Sequence, residues 1–291
     1  SSPAGSEGSM SLPTSLGEIS APNPLTGYGS IAAPRINQKG SATTSFPFKI
    51  PPGRNGVAPS LAAVYSSDSK SGLLGVGWDV PVSSIDVDLR WGVPRFLSDV
   101  ESETYTLDGS VLTMEGGFRG NRRDANGNYA NRVSQSVLFF PKTQSNWKQI
   151  RRYGADPKSY YWVVTTAEQS KLYFGTEDGS SQDPNALVTN DNGDVLSWKL
   201  KRIEDKWGNF VEYNYEELTA QSSSQMLDGA KQTLLSSIRY TGFESSSQNI
   251  EPPYLVEFKY EDGNRADARS SFRSGANQGS FNLLKEVVIS F

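Results

Sequence analysis

Two glutamates separated by one residue, Glu101 and Glu103, form the acidic pair with the most suggestive spacing in the chain. ADP-ribosyltransferases use a Glu-x-Glu pair, which in those enzymes follows an arginine and a Ser-Thr-Ser segment. No Ser-Thr-Ser segment precedes Glu101. Because residues two apart on a strand point the same way, Asp99, Glu101 and Glu103 are predicted to form an ordinary solvated face. The non-catalytic interpretation of the pair is therefore favoured.

Three closely spaced glycines, Gly72, Gly75 and Gly77, resemble a phosphate-binding loop in their spacing. Such a loop should open a helix, whereas Trp78 to Pro81 is poor helix sequence. Glycine also serves where a positive φ or a close backbone approach is needed, and a neighbouring Trp ring buries well. We therefore predict that Gly75, Gly77 and Trp78 shape the fold and that the loop binds no nucleotide.

Two segments rich in oxygen ligands, Asp124–Asn128 and Asp191–Asp194, could bind calcium. Calcium takes about six or more oxygen ligands in a defined order, and neither segment has the full spaced loop with a closing Glu. Each contains an Asn-Gly pair, which is typical of a tight turn. The two segments are predicted to be turns, with calcium binding as the alternative.

Two basic stretches, one interleaved with aromatic residues, could contact nucleic acid or an acidic partner. The net charge of -4 argues against nucleic acid, since such proteins usually carry a basic footprint. Solvated loops or partner contacts are therefore expected. The stretches are Arg119, Arg122, Arg123 and Arg132, and then Trp147, Lys148, Arg151, Arg152 and Tyr153.

The 291 residues include no histidine and no cysteine. The commonest general base, the Ser-His-Asp triad, thiol nucleophiles and most zinc sites are therefore excluded. We predict that the chain is not an enzyme and has no cofactor or metal. No apolar run approaches the roughly 18 residues needed to span a bilayer, so no direct membrane insertion is predicted. The small, polar start from Ser1 to Ser9 does not resemble a signal peptide.

The elements that would position these residues are predicted to be strands. With 27 Gly and 16 Pro spread along the chain, short strands joined by turns are favoured over helices. A hairpin is predicted from Tyr160–Thr165 and Lys171–Phe174. A second hairpin pairs a face of Leu196, Trp198 and Leu200 with a face of Val211, Tyr213 and Tyr215, joined by a turn at Gly208 and Asn209.

Other segments have weaker signals. Residues 119–132, 176–194 and 220–232 are predicted to be long polar loops. The spacing of Met226, Ala230 and Leu234 permits one short helix. Residues 1–20 are predicted to be a flexible arm and residues 21–291 one mainly β domain with very little helix. Its antiparallel hairpins would form a sandwich or part of a larger shell. Because Phe291 lies within an apparent strand, we expect the natural polypeptide to continue.

An ordered set of motifs between Asn23 and Gly109 resembles the N-terminal domain of the Salmonella virulence plasmid B protein (SpvB) family. The same domain opens the B components of insecticidal toxin complexes, the TcaC and TcdB type. Asp205 to Tyr215 also resembles an Rhs/YD-type hairpin, in which a Gly-Asn turn joins strands ending in Tyr-x-Tyr. The motifs between Asn23 and Gly109 are Asn23–Ser30, Gly56–Leu61, Tyr65–Ser67, Gly72–Trp78, Ser84–Ile85 and Gly92–Phe96, in which Val93-Pro94 fixes an extended dipeptide.

The resemblance implies a secreted bacterial scaffold domain in a β-sheet shell that encloses or presents a C-terminal toxic region. The implied partners are other domains of the same polypeptide and a pore-forming toxin-complex subunit. The residues expected to carry this structural role are Gly75, Gly77, Trp78, Pro94, Gly208, Asn209, Tyr213 and Tyr215. The alternative is a β-rich module that binds carbohydrate or a host surface through exposed aromatic residues. An NAD-dependent ADP-ribosyltransferase ranks last.

Overall fold

The computed structural model describes residues 35–36, 41–69, 71–90, 92–115, 126–142, 147–221, 227–261 and 265–291. This part of the chain consists of strands, turns and two short 3-10 helices, Arg54–Gly56 and Pro184–Ala186, which confirms the mainly β, largely antiparallel prediction. No helix within it is long and apolar enough to cross a membrane. The proposed arm at residues 1–20 and three of the basic residues, Arg119, Arg122 and Arg123, lie outside the described ranges.

The first sheet has six short strands in the order β1-β2-β3-β6-β5-β4. Its best-formed pair is β2 with β3, which align Thr44 with Tyr65 and Phe46 with Ala63. The bounds are β1 (Arg35–Ile36), β2 (Ala42–Pro47), β3 (Ala62–Ser66), β4 (Ser71–Gly72), β5 (Gly75–Val76) and β6 (Trp78–Asp79).

The centre of the molecule is an antiparallel barrel of eight strands. It runs in the order β13-β12-β11-β10-β9-β8-β7-β15, and β15 closes it by pairing with β13, for example Ile203 with Leu172. The short strand β14 pairs with β15 outside this path. The bounds are β7 (Ser84–Val87), β8 (Tyr105–Leu107), β9 (Ser110–Met114), β10 (Val137–Pro141), β11 (Trp147–Tyr153), β12 (Tyr161–Thr166), β13 (Lys171–Phe174), β14 (Leu187–Thr189) and β15 (Val195–Glu204).

An extension sheet continues from the barrel through the long strand β15, in the order β15-β16-β17-β19-β22. Two short strands, β20 and β21, form a hairpin that is linked to the start of β17 by a parallel bridge between Lys231 and Gln278. The bounds are β16 (Asn209–Thr219), β17 (Lys231–Glu244), β18 (Asn249–Ile250), β19 (Tyr254–Glu261), β20 (Arg269–Ser271), β21 (Gln278–Ser280) and β22 (Leu283–Ser290).

The barrel interior is packed with aromatic rings. Trp162 contacts Tyr105, Phe139 and Trp198 in edge-to-face arrangements, with ring centroids 5.0, 4.9 and 5.8 Å apart. All four side chains are essentially inaccessible to solvent. Because aromatic pairs of this geometry add to the free energy of burying their surface, they stabilise the barrel as a filled core.

Both hairpins predicted from the sequence are present: β12 pairs with β13, and β15 pairs with β16 across the turn at Gly208 and Asn209. The prediction that Leu196 shares a strand face with Trp198 and Leu200 is wrong. A β-bulge lies at Leu196, since Val188 pairs with Ser197 while the next residue of β14 pairs with Val195. The extra residue turns Leu196 away from the main core into a small cluster with Val188.

The short helix that the spacing of Met226, Ala230 and Leu234 permits does not include Leu234, which is a buried residue of strand β17. Its pairing with β16 outweighs the helical spacing. Met226 lies outside the described residues. The predicted loop at 176–194 likewise contains the 3-10 helix Pro184–Ala186 and β14.

Candidate functional site

The Glu-x-Glu pair occupies the interior of the molecule. The prediction that Glu101 and Glu103 form a solvated face is wrong, because the two residues are 1% and 3% exposed. They lie in the extended segment that leads into β8, at the end of the barrel where β8, β10 and β12 begin. Burying two carboxylates is costly unless cations compensate them, and two arginines do so here.

Arg152 on β11 binds Glu101 through both ends of its guanidinium. Its Nη2 donates to Glu101 Oε1 at 2.6 Å and its Nη1 to Oε2 at 3.0 Å. Nη1 also donates to the Tyr105 hydroxyl at 3.3 Å, and the guanidinium lies 3.9 Å from the centre of the Tyr160 ring. This forked geometry, in an almost fully buried site, makes a strong charge-assisted pair.

Arg132, which precedes β10, binds the second glutamate. Its Nη2 donates to Glu103 Oε2 at 2.7 Å, and its Nε donates to the carbonyl oxygen of Leu97 at 2.8 Å. Its Nη1 lies 3.5 Å from Glu101 Oε2 and donates to the Tyr160 hydroxyl at 3.3 Å. We call Glu101, Glu103, Tyr105, Arg132, Arg152 and Tyr160 the barrel-end network.

The charges of the barrel-end network compensate each other. Burial alone would lower the pKa of Arg152, but Tyr105 and Glu101 outweigh it, so that the pKa is raised. Burial raises the pKa of Tyr105 far above its usual value despite the opposing effect of Arg152. The network thus holds two paired cations, two paired carboxylates and neutral phenols. A carboxylate already bound by an arginine is poorly suited to act as a base, so the arrangement fits a structural role.

Sequence reasoning missed Arg132 and Arg152, which it assigned to solvated loops or partner contacts. That prediction is wrong for both residues, whose side chains are 4% and 1% exposed. One signal was available: Ile150 and Arg152 share a strand face, and Ile150 is 1% exposed. An arginine on the buried face of a strand requires a buried partner.

The glycines of the first sheet adopt positive φ, at 118° for Gly75 and 79° for Gly77. A Cβ on Gly77 would lie 2.6 Å from Cε2 of Tyr65, whose ring centroid is 5.3 Å from that of Trp78. Pro94 is half-buried. The structural role of Gly75, Gly77, Trp78 and Pro94 stays a prediction.

The turn at Gly208 and Asn209 is tightly constrained. Gly208 has φ 92°, and a Cβ there would lie 2.0 Å from the carbonyl oxygen of Glu244. Asp205 accepts hydrogen bonds from the backbone and side-chain nitrogens of Asn209, at 2.9 and 2.8 Å. Tyr213 is buried, and the Tyr215 hydroxyl donates to the carbonyl oxygen of Leu200 at 2.6 Å.

The candidate calcium segments are only partly described. Around Asp194, Oδ1 of Asn190 accepts backbone hydrogen bonds from Asn192 and Asp194, which is the geometry of a turn. In the described ranges no group of three or more acidic side chains is arranged to hold a metal. Asp124 lies outside those ranges.

The exposed aromatic side chains in the described part of the chain are Phe46, Phe140, Trp207, Phe272 and Phe291. Trp207, at the tip of the β15–β16 hairpin, is 59% exposed, and Lys206 Nζ lies 4.4 Å from the centre of its ring. Tyr153 and Tyr161 stack with centroids 5.3 Å apart on the barrel wall. The side chain of Trp147 is outside the described set.

The closed barrel with its antiparallel extension, together with the buried network, defines a β-barrel domain. Residues 36–281 match the family described as Salmonella virulence plasmid 65kDa B protein, SpvB. The match covers most of the chain, which therefore belongs to the SpvB family. A search of curated proteins found no significant match.

Solved structures share the fold at low sequence identity. The structure of TcdB2-TccC3 superposes with a TM-score of 0.69 at 18% identity, covering 94% of this chain and 14% of that one. The N-terminal domain of effector protein SpvB from Salmonella typhimurium strain LT2 gives 0.62 at 17% identity, covering 80% and 83%. The Tc holotoxin pore of Photorhabdus luminescens gives 0.66 at 18% identity, covering 91% and 13%. The chain thus spans about one seventh of the toxin-complex chains that it matches.

Proposed function

We propose that this chain is a non-catalytic scaffold domain of a secreted bacterial toxin. It would help to enclose or present a toxic region encoded in the same polypeptide, and would act with a pore-forming toxin-complex subunit. The observation that carries the proposal is the barrel-end network, where the best candidate catalytic pair is buried and neutralised by Arg132 and Arg152. Family membership and the toxin-complex structures of the same fold support the toxin setting.

Limited proteolysis of the natural polypeptide tests the scaffold role. We expect a downstream segment to resist protease when residues 41–291 are intact and to become sensitive when Arg152→Met loosens the barrel. Lys285→Met is the control, since Lys285 pairs with Glu261 at the surface and is 66% exposed. Equal sensitivity of the downstream segment in the parent and both variants would contradict the proposal.

An assay of NAD consumption tests the absence of catalysis. We expect no turnover by the chain, and no difference between the parent and Glu103→Gln. Turnover that disappears in Glu103→Gln but persists in Glu257→Gln, a change on strand β19, would establish an enzyme instead.

The second candidate function, a carbohydrate or host-surface binding module, rests on the exposed Trp207. A glycan-binding screen of the parent chain and of Trp207→Ala separates the two candidates. Saturable binding that is lost in Trp207→Ala would favour the module. Absence of binding, or binding that is the same in both, would count against it.

A further inference from the structure

A second polar site lies between the barrel and the β20–β21 hairpin. A cavity of about 400 Å³ is bounded on one side by β7 and β15 and on the other by β17, β20 and β21. Clefts of this size at the junction of two parts of a fold are where small ligands commonly bind. The β-bulge contributes to its floor, because it directs Leu196 toward Val188 rather than into the barrel.

Two buried polar atoms of residues that line this cavity have no hydrogen-bond partner. They are Oγ1 of Thr233 and Nε2 of Gln278, from strands that are neighbours in the extension. A buried polar atom without a partner costs about 1–3 kcal/mol, so both atoms are available to hydrogen-bond a polar group inside the cavity. The neighbouring amide of Gln232 is already engaged, since its Oε1 accepts from the backbone nitrogens of Phe281 and Asn282 at 2.9 and 3.1 Å.

The charges around the cavity favour an anion. Lys199 and Arg273 both line it, and neither forms an ion pair with any described residue. The one carboxylate in the lining, Asp86, accepts hydrogen bonds from the hydroxyls of Ser84 at 2.6 Å and Ser197 at 2.5 Å. The lining therefore carries one net positive charge beside an unpartnered amide donor.

The lining also contains aliphatic residues, together with Ser271 and Ser274. Val188 and Leu196 pack against each other, and Val87 and Leu89 also line the cavity. A lining that combines cations and donors with aliphatic carbons fits an amphiphilic molecule better than a bare ion. We propose that this cavity binds a small organic anion, a carboxylate or phosphate ester with a short apolar body, whose charged group reaches Lys199, Arg273, Thr233 and Gln278.

Nuclear magnetic resonance titration of the chain with butyrate, monobutyl phosphate and butanol tests the proposal. The two anions share an apolar body and differ in their head group, and butanol lacks the charge. We expect saturable shifts of the backbone amides of Lys199 and Gly279 with at least one anion and none with butanol. The anion that binds more tightly identifies the head group that the cavity prefers. Shifts with neither anion, or equal shifts with butanol, would overturn the proposal.

Matched variants locate the binding. Arg273→Met and Thr233→Val should each weaken it about tenfold, since each removes one hydrogen-bonding group from the charged end. Lys259→Met, an exposed lysine on β19, should leave it unchanged. Because Thr233 Oγ1 has no partner, Thr233→Val should not lower the melting temperature of the free protein. Binding that survives in both cavity variants, or a large loss of stability in Thr233→Val, would contradict the site.

Discussion

The barrel-end network and the cavity beside β20 and β21 differ in whether their charged side chains form ion pairs. In the barrel-end network each buried charge has a partner, with Glu101 held by Arg152 at 2.6 Å and Glu103 held by Arg132 at 2.7 Å. Around the cavity beside β20 and β21, Lys199 and Arg273 have no ion-pair partner among the described residues. A fully paired network holds a fold together, whereas unpaired groups beside a cavity are available to a ligand.

The largest expected effect comes from breaking the network. Arg152→Met leaves the Glu101 carboxylate buried without its main cation, which should lower the free energy of unfolding by about 3–5 kcal/mol. Chemical denaturation measures the change. The exposed pair of Lys285 and Glu261 provides the control, and Lys285→Met should cost no more than about 1 kcal/mol. Similar losses in both variants would show that the buried arginine contributes no more to stability than a surface ion pair.

The next effect concerns the turn between β15 and β16. Gly208→Ala would add a Cβ 2.0 Å from the carbonyl oxygen of Glu244, in addition to the strain of its positive φ. We expect a loss of about 3 kcal/mol, against about 1 kcal/mol for Gly193→Ala, which has a similar φ and open space around it. Thermal unfolding of both variants makes the comparison. Equal losses would show that the turn relaxes freely.

A smaller effect depends on pH. Burial raises the pKa of Asp108 to about 6, despite hydrogen bonds from the backbone nitrogen of Ser84 and the hydroxyl of Ser83. The folded state therefore binds this proton more tightly than the unfolded state, whose pKa is near 3.8. The resulting stability is fully present below about pH 4 and is lost as the pH rises through 6.

Asp108→Asn should flatten that part of the stability profile, by at most about 3 kcal/mol. Asparagine tolerates the positive φ of 48° at this position and keeps an acceptor for Ser84. Urea unfolding at pH 4, 5, 6 and 7 gives the profile. An unchanged slope between pH 4 and 6 in Asp108→Asn would assign the dependence to another group.

The smallest effect is expected at the hairpin tip. Trp207→Ala should change the free energy of unfolding by less than about 0.5 kcal/mol, since the ring is 59% exposed. Thermal unfolding checks this, with Trp198→Ala as the buried counterpart, which should cost about 3–5 kcal/mol. A large loss in Trp207→Ala would mean that its ring packs more firmly than its exposure indicates.

The sequence predicts the local pairings well. Alternation along Tyr161–Thr166 and Val195–Glu204, with turn residues between strands, is enough to find both hairpins. It does not predict the closure of the barrel, because β13 pairs with β15 through contacts that no local pattern encodes. The bulge at Leu196 is missed for a related reason. One extra residue in β15 changes the face of the strand on which Leu196 lies, and no residue type in the sequence signals the insertion.

The candidate site was harder to predict than the fold. Glu101 and Glu103 were found as a pair, but a two-residue spacing describes a solvated face and a buried face equally well. The face is buried because Arg132 and Arg152, about 30 and 50 residues further along the chain, lie at the same end of the barrel and bind the two glutamates. Polar networks of this kind depend on the closed topology of the barrel, so they can be recognised only once that topology is known.

A double-mutant cycle on Glu101 and Arg152 tests the structural role of the network most directly. Unfolding free energies of the parent, Glu101→Gln, Arg152→Met and the double variant give the coupling between the two side chains. A structural network predicts a coupling of about 2 kcal/mol or more, with the double variant much more stable than the sum of the single losses implies. Additive losses, with a coupling below about 0.5 kcal/mol, would contradict the claim that this pair holds the barrel end together.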